Sequence, residues 1–265
     1  MDINTIKKNG KVGLANALVE IEKNPFDKKS LSLLTQAHKS KNGNILGITG
    51  PPGVGKSSLI KNLIDYYRKK KKTIAVIAVD PSSKKTKGAL LGDRIRLETD
   101  PSDKGLFIRS MAARDKLGGL ASITLSSAFL LNALFDITII ETVGVGQSET
   151  DIANIADTVL FCVQPGSGDS LQFMKAGIVE IPDIIAVTKS DLGEVALNTK
   201  NDVANSIRIG NYSKEKNIPI ILVSSKEEDN IASLVTEIDE QQKNRFNLRN
   251  KMKEIRSIFW LEESI

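Results

Sequence analysis

A chain of 265 residues, 40% apolar and 26% charged, has the make-up of one or two globular domains with a sizeable buried core. No uninterrupted apolar run reaches the roughly 18 residues that a membrane span needs, and Met1-Asp2-Ile3-Asn4 lacks a signal-peptide core, so a cytoplasmic protein with no membrane partner is expected. The formal net charge of +5 admits a nucleic-acid surface, but the main basic run, Lys69-Lys70-Lys71-Lys72, closes an apparent helix, where cations meet the negative end of the helix dipole, and no nucleic-acid partner is expected.

Residues 1–43 read as a helical extension: Ala15, Leu18 and Ile21 share one face, and Leu31, Leu33 and Leu34 continue after the Asn24-Pro25 break. From Asn44 the pattern changes to short apolar runs bounded by glycine, proline and aspartate, alternating with helix-length segments. The predicted strands are Ile45 to Thr49, Thr73 to Val79, Leu106 to Ser110, Ile137 to Ile140, Thr158 to Val163, Ile184 to Val187 and Ile218 to Val223, mostly dense in β-branched residues. Cys162, the single cysteine, falls inside the fifth and reads as a core packing residue. Residues 227–265 read as a helical carboxyl-terminal segment, with Leu234, Ile238, Ile255, Ile258 and Leu261 spaced for long helices. The only histidine, His38, lies far from every motif and is assigned no role.

The most informative segment follows the first strand. Gly50-Pro51-Pro52-Gly53-Val54-Gly55-Lys56-Ser57 matches G-x-x-x-x-G-K-[ST] in full, and a helical run from Ser58 comes next. Glycines let backbone N–H groups curl around phosphate oxygens, the helix amino terminus adds partial positive charge, Lys56 supplies a point charge to the β and γ phosphates, and the Ser57 hydroxyl is placed to ligate Mg²⁺. The expected fold is therefore α/β: a three-layer P-loop NTPase sandwich with a mostly parallel sheet over residues 44–226 and helical extensions at both ends. Ligands of such sheets sit beyond the carboxyl ends of the strands. Three acidic residues lie there: Asp80 ends the second strand, Glu141 follows the fourth and opens Glu141-Thr142-Val143-Gly144, and Asp93 stands in Leu91-Gly92-Asp93-Arg94, where a helix cap is the competing reading.

The base is addressed after the sixth strand. Thr188-Lys189-Ser190-Asp191 occupies the place of the Asn-Lys-x-Asp motif of GTPases, and an aspartate carboxylate accepts from both the ring N–H and the exocyclic amine of guanine, a pairing adenine does not offer. Thr188 departs from asparagine, which leaves open the contacts an amide there makes to the purine edge and to the P-loop. Ser224-Ser225 fits the loop that closes on the purine. The expected nucleotide-binding set is Gly50 to Ser58 with Thr188, Lys189, Asp191, Ser224 and Ser225, and the expected ligands are GTP or GDP.

With these motifs in order, the chain resembles the methylmalonyl-CoA mutase-associated GTPases, the MeaB/ArgK type of metallochaperone-like P-loop GTPase. The residues that carry the resemblance are the P-loop, Ala78-Val79-Asp80-Pro81-Ser82-Ser83, Gly88 to Arg94, Arg109-Ser110-Met111-Ala112-Ala113-Arg114, Glu141 to Glu149, and Gln164-Pro165-Gly166-Ser167-Gly168-Asp169-Ser170-Leu171-Gln172. The resemblance implies a GTPase that accompanies a cobalamin-dependent acyl-CoA mutase, guards cofactor loading and rescues the inactivated enzyme. It implies that Ser57, Asp80, Asp93 and Glu141 surround Mg²⁺. It further implies a switch from Gly166 to Lys175, in which Gln172 and Lys175 act with Lys56 in catalysis when the partner is bound. A homodimer is the family habit, and Phe259, Trp260 and Leu261 either pack on the domain or meet a second subunit. Two rival readings stand beside this: an ATP-dependent small-molecule kinase of the amino-acid transport type, and a nucleotide-gated binding module with little turnover. Arg94, Arg109 and Arg114 serve either phosphates and partners or ordinary ion pairs.

Overall fold

A computed structural model describes residues 2–40, 43–80, 100, 102–112, 122–142, 147–166, 181–209 and 217–244. Two helices, α1 (Ile3–Lys23) and α2 (Lys28–Lys39), precede β1 (Asn44–Thr49), α3 (Lys56–Lys69), β2 (Ile74–Asp80) and β3 (Leu106–Ala112). They are followed by α4 (Ser122–Asn132), β4 (Ile137–Glu141), α5 (Gln147–Ile155), β5 (Thr158–Val163), β6 (Ile184–Val187), α6 (Glu194–Ile209), β7 (Ile220–Leu222) and α7 (Ile231–Asn244). The seven strands form one sheet in the order β3-β2-β4-β1-β5-β6-β7. Every pairing between these seven described strands is parallel, in line with the mostly parallel sheet expected.

Parallel strands need crossovers, and the crossover helices cover both faces. One face of the sheet, including Leu46, Ile48, Val76, Ile139 and Leu160, packs on Leu59, Ile60 and Leu63 of α3 and on Leu234 and Ile238 of α7. The other carries α4, α5 and α6. Helix α4 is buried nearly all round, its small polar residues Thr124, Ser126 and Ser127 included, so it is covered on two sides. The amino-terminal pair supplies the second side: Leu14, Ala17, Leu18 and Ile21 of α1 and Leu33, Leu34 and Ala37 of α2 share a core with Leu125, Ala128, Leu130 and Leu131 of α4. Ala15 sits at the edge of that face, and Leu31, at 36% exposure, is turned outward rather than buried with Leu33 and Leu34. Arg109 on β3 reaches the same layer, where its Nε (2.9 Å) and Nη2 both donate to Glu22 Oε1 of α1. It serves an ion pair, and Arg94 and Arg114 lie outside the described residues.

Strand boundaries depart from expectation where hydrogen bonding, not composition, decides. β7 is only three residues long, yet pairing extends past both ends, because the Pro219 carbonyl accepts from Ile185 N (2.9 Å) and Val223 N donates to Val187 O (2.9 Å). A recurring device fixes register at the amino ends of three strands. Asp136, Asp157 and Asp183 directly precede β4, β5 and β6, and each carboxylate accepts a neighbouring backbone N–H: Thr73 (2.8 Å), Ile45 (2.7 Å) and Val159 (2.9 Å) respectively. At Asp136 burial pushes the carboxyl pKa up, but the Thr73 backbone and hydroxyl bonds outweigh it and hold the group below its ordinary value. This end of the sheet is pinned, and the opposite end carries the loops. Among the described residues no helix is long and apolar enough to cross a membrane.

Candidate nucleotide site

Strand β1 lies at the centre of the sheet and delivers its last residue, the buried Thr49, to the P-loop. Gly50 has φ +140°, and a Cβ there would lie 2.3 Å from the carbonyl oxygen of Cys162 on β5. No other residue type lets the chain leave the sheet so close to its neighbour. Gly55, at φ +99°, occupies the N-cap of α3 and gives that helix no side-chain cap, so its first amides point into the loop without a competing side-chain acceptor. The Lys56 side chain is 6% exposed, with its ammonium donating to the carbonyls of Gly50 (2.7 Å) and Pro51 (2.9 Å). Ser58 is exposed in the first turn of α3.

The β1–β4 register places Ile48 opposite Glu141, which carries that carboxylate to the root of the P-loop. Glu141 is 6% exposed and accepts from the Ser57 hydroxyl at 2.9 Å. Two of the four expected Mg²⁺ residues therefore meet. Asp80 ends β2, but its side chain lies outside the described residues, as does Asp93. Among the described residues no group of three or more His, Cys, Asp and Glu side chains is arranged to hold a metal. Beneath the loop Cys162 is fully buried, and burial pushes its thiol up to about 12, with Glu141 adding to the rise and Lys56 opposing it. It is the core residue its sequence context suggests.

The base-side residues gather beyond β6 and β7. Thr188 is 2% exposed, and its hydroxyl lies 2.7 Å from the carbonyl oxygen of Val54 in the P-loop and 3.0 Å from that of Val163. The tie between this loop and the P-loop, open on sequence grounds, is kept through a hydroxyl. Lys189 adopts a left-handed conformation (φ +54°), and its ammonium donates to Gln164 Oε1 (2.6 Å) and Gly53 O (3.3 Å). Asp191 is exposed, with Oδ1 accepting from the Ser224 hydroxyl at 2.8 Å. Ser224 Oγ in turn accepts from Glu227 N at 3.2 Å, and the Ser225 carbonyl accepts from Asn62 Nδ2 of α3 at 2.9 Å. The carboxylate is thus held from behind by a loop that is itself anchored to the P-loop helix.

Every described member of the expected nucleotide-binding set lies at this one end of the sheet. Gln164, which opens the Gln164–Gln172 motif, was given no site role and Asn62 was missed; the contacts of both amides appear only once β5, β6 and α3 are side by side. Of the segment Gly166 to Lys175 only Gly166 is described, with φ +73°; Gln172, Lys175, Phe259, Trp260 and Leu261 lie outside. His38 is exposed in the last turn of α2.

A parallel sheet whose central strand runs into a glycine loop and an uncapped helix, with a lysine folded over that loop, defines a P-loop nucleotide-binding protein. The family model described as methylmalonyl Co-A mutase-associated GTPase MeaB matches residues 13–264. The chain belongs to that family. A Pyrococcus horikoshii relative named provisionally as a GTPase is 45% identical over 190 residues, covering 71% of this chain and 60% of its own length. A Caenorhabditis elegans protein named methylmalonic aciduria type A homolog, mitochondrial, is 39% identical over 164 residues, covering 61% of this chain and 41% of its own. Matched regions thus span 60% or less of these relatives' own length. A solved structure of a protein named LAO/AO transport system kinase superposes with a TM-score of 0.77 at 24% identity, covering 99% of this chain and 81% of that one; at that identity the likeness concerns the fold.

Proposed function

We propose that this chain binds GTP, hydrolyses it, and serves as the accessory GTPase of a cobalamin-dependent acyl-CoA mutase, gating cofactor loading and protecting or reactivating that enzyme. The observation that carries the nucleotide reading is the Asp191 carboxylate, held by Ser224 across from the P-loop. One oxygen is fixed by a hydroxyl, and the exposed carboxylate faces outward to accept the paired N–H groups of guanine. The mutase reading rests on family membership and on the name carried by the Caenorhabditis elegans relative.

The phosphate chain fits the arc of amides from Gly50 to Ser58, where the α3 dipole favours negative charge. Lys56 exchanges its contacts with the Gly50 and Pro51 carbonyls for phosphate oxygens, a move within reach of a flexible four-carbon stem. A hydroxyl 2.9 Å from a buried carboxylate is a donor set of hard oxygens suited to Mg²⁺, with Ser57 and Glu141 as holders and Asp80 and Asp93 completing the set. The ion, when bound, supplies charge that screens the β and γ phosphates. Hydrolysis also needs charge at the γ-phosphate that the described residues lack beyond Lys56, and Gln172 and Lys175 are proposed to bring it when the mutase docks. Replacing Lys175 by alanine is expected to abolish mutase-stimulated phosphate release while sparing GTP binding; undiminished stimulation would overturn this assignment.

A cytoplasmic location and a homodimer through the carboxyl-terminal segment belong to the same reading. The kinase alternative has one specific support, the name carried by the LAO/AO transport system kinase whose fold this chain shares. An ADP preference over GDP would favour it. Basal turnover near zero that stays there with a mutase present would favour the binding-module alternative.

A further inference from the structure

We propose that this protein reads guanine without a hydrogen bond to N7 of the purine, because Thr188 commits every proton it can donate to the protein itself. The inference rests on the guanine reading above and concerns how that same site achieves it.

An asparagine side chain has two N–H donors and one carbonyl, enough to hold the P-loop and to donate to the purine edge at once. A threonine hydroxyl has a single proton. The Thr188 hydroxyl faces the carbonyl oxygens of Val54 (2.7 Å) and Val163 (3.0 Å), both of which only accept, so its proton lies between them or on the nearer one. The backbone N–H of Thr188 donates to Val163 O at 2.8 Å. At 2% exposure the side chain has no room to swing toward a ligand without leaving a backbone carbonyl of the P-loop unpaired in a buried place. Purine N7 carries no hydrogen and needs a donor, and Thr188 has none left. The adjacent Lys189 ammonium is directed to Gln164 Oε1 and Gly53 O.

Thr188 is therefore a positioning residue: it keeps the base loop registered to the P-loop and gives up the purine-edge contact. Selectivity survives this, because N7 is common to guanine and adenine and cannot distinguish them. The distinguishing atoms are the ring N–H and the exocyclic amine, and Asp191 takes both.

The test uses the whole protein and four competitors of a fluorescent GDP: GDP, 7-deaza-GDP, in which N7 is a C–H, ADP and xanthosine diphosphate. The wild type is expected to bind 7-deaza-GDP within about twofold of GDP, whereas a protein donating to N7 loses about fivefold on that change. A loss of fivefold or more in the wild type would overturn the proposal. Thr188→Val, which removes the hydroxyl from the Val54 carbonyl while the backbone N–H still pairs that of Val163, is expected to weaken GDP and 7-deaza-GDP by the same factor, about tenfold. A factor that differs between the two ligands would also count against it, since a merely structural lesion does not sense N7. If ADP competes as well as GDP, the guanine reading itself fails, an outcome distinct from either of these.

Discussion

Replacing Gly50 by alanine probes the point where the P-loop leaves the sheet. The added Cβ would lie 2.3 Å from the Cys162 carbonyl oxygen, a backbone atom in a paired central strand that has no rotamer to yield, and φ is +140°. Strain in a left-handed conformation costs about 1–3 kcal/mol and forcing an extra methyl into a packed site a similar amount, so the expected loss is about 4 kcal/mol. For a chain of this size each kcal/mol lowers Tm by about 2–4 °C, giving a drop on the order of 10 °C. Gly53→Ala is the internal control: φ is +76°, but no atom lies within 4 Å of the added Cβ. Only the conformational cost of about 1–2 kcal/mol applies there, a drop of about 4 °C. Thermal unfolding followed by circular dichroism on both variants, without nucleotide, reads the difference. Two variants that melt together would refute the claim that contact with β5 makes Gly50 obligatory.

Asp157→Ala leaves the buried N–H of Ile45 without its carboxylate; urea unfolding should show a loss of about 1–3 kcal/mol. The Asp103 carboxyl is held below its ordinary range chiefly by hydrogen bonding to Arg68, whose Nε (2.7 Å) and Nη2 (2.6 Å) form a fork onto it. Its folded pKa is depressed, so its contribution is present above the ordinary value of 3.8 and is lost as pH falls through the lower folded value. Asp103→Asn should flatten the acid limb of stability against pH, measured by denaturant midpoints from about pH 5 to about pH 2.5. Leu18→Asp places an unpaired charge where α1 meets the α4 core and should detach the amino-terminal pair. Increased binding of an apolar fluorescent dye to the uncovered α4 is the expected signal.

Much of this fold is legible in the chain because parallel strands buried on both faces leave unbroken β-branched runs, as at Thr158–Val163 and Ile184–Val187, where expected and observed limits coincide. The P-loop was legible because Gly50, Gly53 and Gly55 all take a positive φ that favours glycine, although the contact that makes Gly50 obligatory lies far off in sequence on β5. What escaped depends on partners distant in sequence. Asp136, Asp157 and Asp183 look like turn punctuation until their carboxylates are seen on backbone amides at the amino ends of neighbouring strands. Asn62 looks like a surface amide until it meets Ser225, and the motif that Gln164 opens gives no sign that its amide holds Lys189. Thr188 illustrates the limit from the other direction: the substitution was visible, but whether the P-loop tie survived it depended on a hydroxyl reaching Val54, across 134 residues of sequence.

Asp191 is proposed to make this P-loop protein specific for guanine. The direct measurement is calorimetric titration of the wild type and Asp191→Asn with GDP, ADP and xanthosine diphosphate in the presence of Mg²⁺. Two charge-assisted bonds to the base predict that the wild type favours GDP over ADP by at least about a hundredfold, and an asparagine amide facing the 2-oxo group of xanthine should shift the preference of the variant to xanthosine diphosphate. Equal affinity of the wild type for GDP and ADP, or a variant that still prefers GDP, would show that Asp191 does not select the base.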